Sequence, residues 1–449
     1  MLKTNYISIL KIALPMMVGM FIQSVVMITD AAILNRYDIL NNLSSLSFDA
    51  SGNAGLIYVT LFMGMSGLGD GAQILISNRI GEKRINAIKH LIPSSIFSNL
   101  FLALLFFSLV QFLIPSMLFS YSSDLNLAQK QVDFISIRSI GFFVASLMIT
   151  FNAFFLAIGK TWIILVSALI FAASNITLDI ILVFGIEGSI PSLGLEGAAI
   201  ASNIAEGTAV IFLFIMMLRV DERKKFEIFS TLRIKKETLT SLWKVGSPLL
   251  FQGFLALATW TVFFTFIEQR SRYDLTVSQN IRFIYMIAFV PIFGFAATTK
   301  TYVSHFMGAK DFKQIKKVQY RILLLSALFV ILLFHGTLFY PETLINLVNP
   351  DKTYLNDSAA ILRMVFGSIF MFALFTPFFQ TINGSGNTRA TLIIEISSIL
   401  IYLVFAFLFI KVFELHIYNV WFVEYIYFGV MGVLSLIYLK FFNWQKKII

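Results

Sequence analysis

The sequence contains no cysteine. Disulfides, thiol catalysis and cysteine-ligated metals are therefore excluded. Histidine is almost as scarce. His90, His305, His335 and His416 are far apart and form no HxxxH or HExxH spacing, so no zinc site is expected. Charge is the third shortage. Only 13% of the 449 residues are charged, whereas 58% are hydrophobic, and a soluble domain carries about 25% charged residues. A soluble enzyme, a disordered chain and a coiled coil would all need more polar sequence than this. What is present instead is apolar length: 49 phenylalanines and a mean hydropathy of +0.84.

A spanning helix needs about 20 apolar residues. Twelve such segments are read, at about 7–35, 50–78, 92–114, 126–157, 160–185, 193–219, 239–268, 276–305, 313–340, 353–384, 387–413 and 416–441. Barrel strands alternate with a period of two. The runs here, such as Ser98–Ile114 and Ile322–Phe334, are unbroken. The reading is an all-α integral membrane protein with twelve transmembrane helices. The first run, from Ile7, is longer than the core of a signal peptide and is taken as a retained span.

Lys and Arg set the orientation. With the N-terminus inside, 24 of the 34 basic residues fall on the cytoplasmic side. Six fall outside: Arg36, Lys130, Arg270, Arg272, Lys352 and Lys411. Arg138, Arg282, Lys300 and Arg363 lie within spans. The expectation is a multi-pass protein of the plasma (inner) membrane with both termini cytoplasmic. The formal net charge of +10 is then mostly a topology signal. The lipid bilayer is the expected partner, and no nucleic acid is.

Val220–Thr238 is the one long polar stretch, and the halves on either side resemble each other. Leu10-Lys11-Ile12-Ala13-Leu14-Pro15 is echoed by Trp243-Lys244-Val245-Gly246-Ser247-Pro248. Gly81-Glu82-Lys83 after the second span is echoed by Gly308-Ala309-Lys310 after the eighth. Gly159 and Gly386 lie 227 residues apart, as do Gly81 and Gly308. The expected organisation is an N-terminal lobe at 1–219, a cytoplasmic linker at 220–238 and a C-terminal lobe at 239–449. Each lobe is a six-helix bundle (6+6). Parallel repeats of this kind are a common build of transporters, with substrate handled near the midplane.

A charge in hydrocarbon is costly, so an acid inside a span is a functional hypothesis. Asp30 stands in the first span, 15 residues beyond Pro15, which removes a backbone donor and marks a kink. Gln23 precedes Asp30 by seven residues, on the same face. Asn175 and Asp179 share a face of the fifth span at i,i+4. The sixth carries Ser202, Asn203 and Glu206, and the fourth Arg138 and Asn152. Two carboxylates with amide and hydroxyl oxygens suit Na⁺ or a shared proton. The structural alternative is that Asp30 pairs with a membrane arginine and Asn175 glues helices together. Asp70 sits in Gly-Leu-Gly-Asp-Gly, read as a broken stretch of the second span. Glu395 and Glu424 either line a path or pair with Arg389 or Lys411. For Arg138 and Arg363 a counter-ion or helix-gluing role is expected. An intramembrane enzyme would need a nucleophile–base or metal constellation; none is present, so no enzyme is expected.

These residues resemble the multidrug and toxic compound extrusion (MATE) family. The likeness rests on Pro15, Gln23 and Asp30, on Gly81, and on Asn175-Ile176-Thr177-Leu178-Asp179. It rests also on Gly194-Leu195-Glu196-Gly197-Ala198-Ala199-Ile200-Ala201-Ser202. The resemblance implies two lobes around a central cavity and an antiporter working by alternating access. It would export amphipathic or cationic small molecules against entering Na⁺ or H⁺. It implies an N-lobe cation site at Asp30, Asn175, Asp179 and Ser202, where Na⁺ would bind. Gln23, Asn152, Glu206 and Pro15 would stand around it. Beyond the coupling ion no cofactor is expected, and the chain is expected to act as a monomer. One branch of the family carries acids in the seventh and tenth spans. Phe251–Ala256 and Phe370–Phe375 contain none here, so coupling is expected to rest on the N-lobe. The alternative within the superfamily is a flippase for a lipid-linked oligosaccharide.

Overall fold

In the computed structural model, residues 2–43, 45–121 and 124–446 are described. They are almost wholly helical. The principal helices are α1 (Tyr6–Asn41), α2 (Leu46–Gly81), α3 (Ile85–Phe112), α4 (Leu125–Arg138) and α5 (Gly141–Ala157). Next come α6 (Thr161–Phe184), α7 (Gly194–Arg219), α8 (Lys236–Glu268) and α9 (Arg272–Gly308). The chain ends with α10 (Phe312–Phe334), α11 (Leu355–Gly384), α12 (Thr388–Phe407) and α13 (Val423–Phe441).

Eleven helices among the described residues are long and apolar enough to cross a membrane, and the bent pair α4–α5 makes a twelfth span. The twelve expected spans are thus recovered, with one difference. The fourth is broken, and its two helices meet at 47°. A break frees backbone carbonyls, which is tolerated at membrane depth only where protein re-satisfies them. Gln111 Nε2 donates to Ser136 O at 3.0 Å, and Asn203 Nδ2 donates to Ile137 O at 2.7 Å.

The second span corrects an expectation. Gly-Leu-Gly-Asp-Gly does not interrupt it, because α2 runs unbroken through Asp70. The glycines instead let another backbone approach. A Cβ on Gly71 would stand 2.6 Å from Gly246 Cα on α8. Small residues at such crossings are how membrane helices gain close packing.

The chain forms two compact units. One comprises Met1–Met17, Ser77–Lys83 and Phe254–Ile449; the other comprises Val18–Ile76 and Arg84–Gly253. Their boundaries fall inside α1, α2 and α8 and in the turn between α2 and α3. The polar stretch at 220–238 belongs wholly to the second unit and is packed there. Phe226 and Ile228 are buried, Lys160 pairs with Glu222 at 2.6 Å, and His90 Nδ1 meets Arg233 O at 3.1 Å.

The internal repeat is visible in the packing. In the first half α3 packs on α5, α5 on α7 and α6 on α7; in the second, α10 packs on α11, α11 on α13 and α12 on α13. The turns match as well. Lys83 and Lys310 both have positive φ, 60° and 55°, and so do Gly159 and Gly386, 74° and 81°. Gly81 and Gly308 also face each other's helices. A Cβ on Gly81 would collide with the His305 carbonyl, and one on Gly308 with the Asn78 carbonyl. Asn78 and His305 are again 227 positions apart, so the contact is reciprocal about the repeat.

Candidate functional site: a buried carboxylate–amide cluster

The site is assembled on the α6–α7 hairpin. Leu193 N donates to Leu182 O at 2.9 Å and closes it. A Cβ on Gly197 would lie 2.6 Å from Leu182 O, so only glycine allows this approach. Ala198, Ala201, Ala205 and Ala209 are buried along α7 and keep the crossing close. Two polar contacts cross it. Thr208 Oγ1 donates to Ser174 Oγ at 3.1 Å, and Asn175 Nδ2 donates to Ser202 Oγ at 3.3 Å. The Gly-x-x-Gly-Ala-Ala-x-Ala-Ser run thereby fixes where Ser202 meets Asn175.

Asn175 and Asp179 are fully buried, and Asp30 on α1 is half-buried. The Asp30 and Asp179 carboxyls lie within hydrogen-bonding reach of each other. Two carboxylate anions offer only acceptors, so such a contact needs a proton or a cation between them. The surrounding oxygens point the same way. Asp30 Oδ1, Asn152 Oδ1, Asn175 Oδ1 and both Asp179 oxygens are buried and receive no hydrogen bond. Buried acceptors are normally satisfied. The four of these oxygens on Asp30, Asn175 and Asp179 form an environment suited to a hard cation. Among the described residues, no three His, Cys, Asp or Glu side chains converge on a metal-sized site. The donor set is thus two carboxylates with amide and hydroxyl groups, which does not suit a transition metal.

Glu206 stands one turn beyond Ser202 and is engaged elsewhere. Arg138, at the end of α4, grips it with both terminal nitrogens, Nη1 reaching Oε2 at 3.2 Å and Nη2 reaching Oε1. Arg138 Nη1 also donates to Asn203 Oδ1, and the guanidinium lies 3.9 Å from the centroid of the Tyr58 ring. Tyr58 OH lies 3.4 Å from Glu206 Oε2. The expected counter-ion role of Arg138 holds, with Glu206 rather than Asp30 as its partner. The bend between α4 and α5 is what delivers Arg138 here. Gly141, just past the bend, has no space for a Cβ beside Arg138 Nη1 and Asn203 Oδ1.

Two further residues named from sequence make no hydrogen bond to the cluster. Gln23, on the face of α1 that its spacing shares with Asp30, is exposed. Pro15 lies inside α1 and is half-buried; it bears on the cluster only through the helix. Tyr58 was not anticipated, because an aromatic in an apolar span carries no signal of its own. In the second half, Glu395 and Glu424 pair with neither Arg389 nor Lys411. Glu424 accepts from Tyr285 OH at 2.9 Å and Tyr402 OH at 3.1 Å, and Glu395 accepts from Tyr427 OH at 2.5 Å. Arg363 pairs with Glu342 at 2.6 Å.

Twelve apolar spans in two equivalent sets, with carboxylates gathered at depth in one of them, define a multi-pass membrane transporter. The MatE family model matches residues 15–181 and 248–408, one match in each half, beginning at Pro15 and at Pro248. The chain belongs to the MatE family of multidrug efflux transporters. It is 23% identical to a probable multidrug resistance protein NorM of Thermotoga maritima, over 98% of this chain and 93% of the relative. It is 26% identical to the multidrug export protein MepA of Staphylococcus haemolyticus, over 60% and 57%. The fold is shared with a MOP superfamily transporter from Pyrococcus furiosus, at 18% identity and a TM-score of 0.87, covering 98% and 96% of the two chains. A multidrug resistance MATE family transporter in an outward-facing conformation also matches, at 17% identity and 0.87, with the same coverage.

Proposed function

We propose that this transporter is a cation-coupled antiporter that exports amphipathic, cationic small molecules against entering Na⁺ or H⁺. The observation that carries the reading is the facing pair Asp30–Asp179 amid oxygens that receive no hydrogen bond. Asp30, Asp179, Asn175 and Ser202 are the proposed coupling residues; Asn152, whose amide oxygen is buried without a donor, is proposed as a further member. In this scheme a cation or proton taken up between the carboxylates removes the repulsion that otherwise separates α1 from α6. Its release to the other side restores that repulsion. The two states then differ in how α1 sits on the α6–α7 hairpin, and Pro15 is the weak point in the α1 hydrogen-bond ladder. Rocking of the repeats exposes the site alternately to each side.

A flippase for a lipid-linked oligosaccharide would need basic side chains available to a pyrophosphate. Of the four basic residues within spans, Arg138 is committed to Glu206 and Arg363 pairs with Glu342, which leaves only Arg282 and Lys300 as candidates, while Asp30 and Asp179 favour cations. The names of the relatives also support drug export. The test is transport of a fluorescent cationic dye by the purified protein in vesicles, under a Na⁺ gradient at fixed pH and under a proton gradient alone. Dye movement under one or both is expected. No movement under either, with flipping of a lipid-linked sugar, would replace this reading.

A further inference from the structure

The segment ahead of α1 is tied down. Tyr302 OH donates to Lys3 O at 2.8 Å, and Arg321 Nη1 donates to Thr4 O at 2.6 Å. Thr4 Oγ1 donates to Gln314 Oε1 at 3.2 Å. The Arg321 guanidinium also lies 5.1 Å from the centroid of the Tyr6 ring. Together these contacts hold Lys3, Thr4 and Tyr6 against the last turns of α9 and the first half of α10. Between them is an open depression of about 450 Å³, whose lining includes Lys3, Thr4, Asp311, Gln314, Lys317 and Arg321. That size suits a small ligand.

Its charge is net positive. Three cationic side chains and one acid line it. That acid is already engaged, since Asp311 Oδ1 accepts from Gln314 N at 3.3 Å and caps α10. Lys313 and Lys316 are exposed on the same first turns of α10 and add to the positive field. Cationic side chains gathered on one lining repel unless an anion lies between them. Lysine ammonium and arginine guanidinium groups, with a hydroxyl and side-chain amides, match the several oxygens of a phosphate.

We propose that this depression binds a phosphate-bearing anion, which bridges Lys3 of the N-terminal segment to Lys317 and Arg321 of α10. Its position at the start of an apolar span, among clustered basic residues, favours the headgroup of an anionic phospholipid. Free phosphate offers the same chemistry. In either case the anion fixes the entry to α1, the helix that carries Asp30. This site is separate from the carboxylate cluster and does not depend on what that cluster binds.

The test uses the full chain in nanodiscs of phosphatidylcholine, with phosphatidylglycerol titrated in. Thermal unfolding and lipid retention in native mass spectrometry are the readouts. A detergent arm titrates inorganic phosphate against chloride at matched ionic strength. Phosphatidylglycerol, phosphate or both should raise the unfolding midpoint, and the arm that responds identifies the source. Lys3→Gln/Lys317→Gln should weaken the response roughly fivefold per lysine removed. Lys3→Gln alone, at an exposed position, gives the same sign if the double variant folds poorly. Lys224→Gln, in the 220–238 segment, should leave the response unchanged. An equal loss in Lys224→Gln would mean general surface electrostatics and overturn the proposal. So would an unchanged response in the Lys3 and Lys317 variants, or no response to either anion.

Discussion

The Arg138–Glu206 pair gives the sharpest energetic prediction. Both residues are more than nine-tenths buried. Replacing Arg138 by Leu leaves Glu206 with only the long contact from Tyr58 OH, at 3.4 Å. Removing one partner of a buried ion pair costs about 3–5 kcal/mol, because the other charge stays behind. Glu206→Leu should cost a similar amount by stranding the guanidinium. The double leucine variant should be more stable than either single one, since an apolar pair of similar volume is often close to neutral. It still forfeits the Asn203 hydrogen bond, worth about 1 kcal/mol, and the Tyr58 ring contact, worth about 1–2 kcal/mol. The double variant should therefore lie about 2–3 kcal/mol below wild type. The pairwise coupling should be about 3 kcal/mol or more, at the upper end for residues in contact. Reversible unfolding in mixed micelles, followed by tryptophan fluorescence, measures all four corners. A coupling below about 0.5 kcal/mol would refute a charge-paired, desolvated Arg138.

Three further outcomes follow from the same geometry. Gly197→Ala should destabilise by about 1–3 kcal/mol and weaken cation binding, because the new Cβ presses on Leu182 O and shifts Ser202 from Asn175; unfolding and ion-binding titrations read the two effects. Gly81→Ala and Gly308→Ala should cost similar amounts, about 1–3 kcal/mol each, since each Cβ meets the carbonyl that is the repeat partner of the other's; very different unfolding midpoints would contradict a reciprocal crossing. Glu424→Ala should cost about 2–4 kcal/mol by removing the buried acceptor that the Tyr285 and Tyr402 hydroxyls share, whereas Glu424→Gln retains an acceptor and should cost less than half of that.

Much of this was legible in the sequence, for a physical reason. Lipid leaves helices and closed barrels as the only spanning structures, so apolar length and the absence of alternation were enough to count the spans. The repeat was readable because turn chemistry is local: Gly81 with Lys83, and Gly308 with Lys310, prescribe the same helix ending wherever they occur. Asn175 and Asp179 were readable because their i,i+4 spacing puts them on one face. Other features depend on contacts distant in the chain. Nothing near Ser139 announces the bend after Arg138, because the carbonyls it frees are satisfied by Gln111 and Asn203 from other helices. Face-sharing puts Gln23 and Asp30 on one side of α1, but it does not say which part of a long helix is covered. Glu395 and Glu424 looked like partners for nearby cations. Their tyrosine donors come largely from other helices, which no local pattern shows.

The central proposal is that Asp30 and Asp179 carry the coupling ion. The most direct test is ion-driven dye transport by Asp30→Asn and Asp179→Asn, each reconstituted in vesicles after folding and insertion are verified. Removing one of two facing carboxylates should cost about 2–5 kcal/mol of cation binding, so each single variant should lose gradient-driven transport while remaining folded. Transport at the wild-type rate in both variants would contradict the proposal.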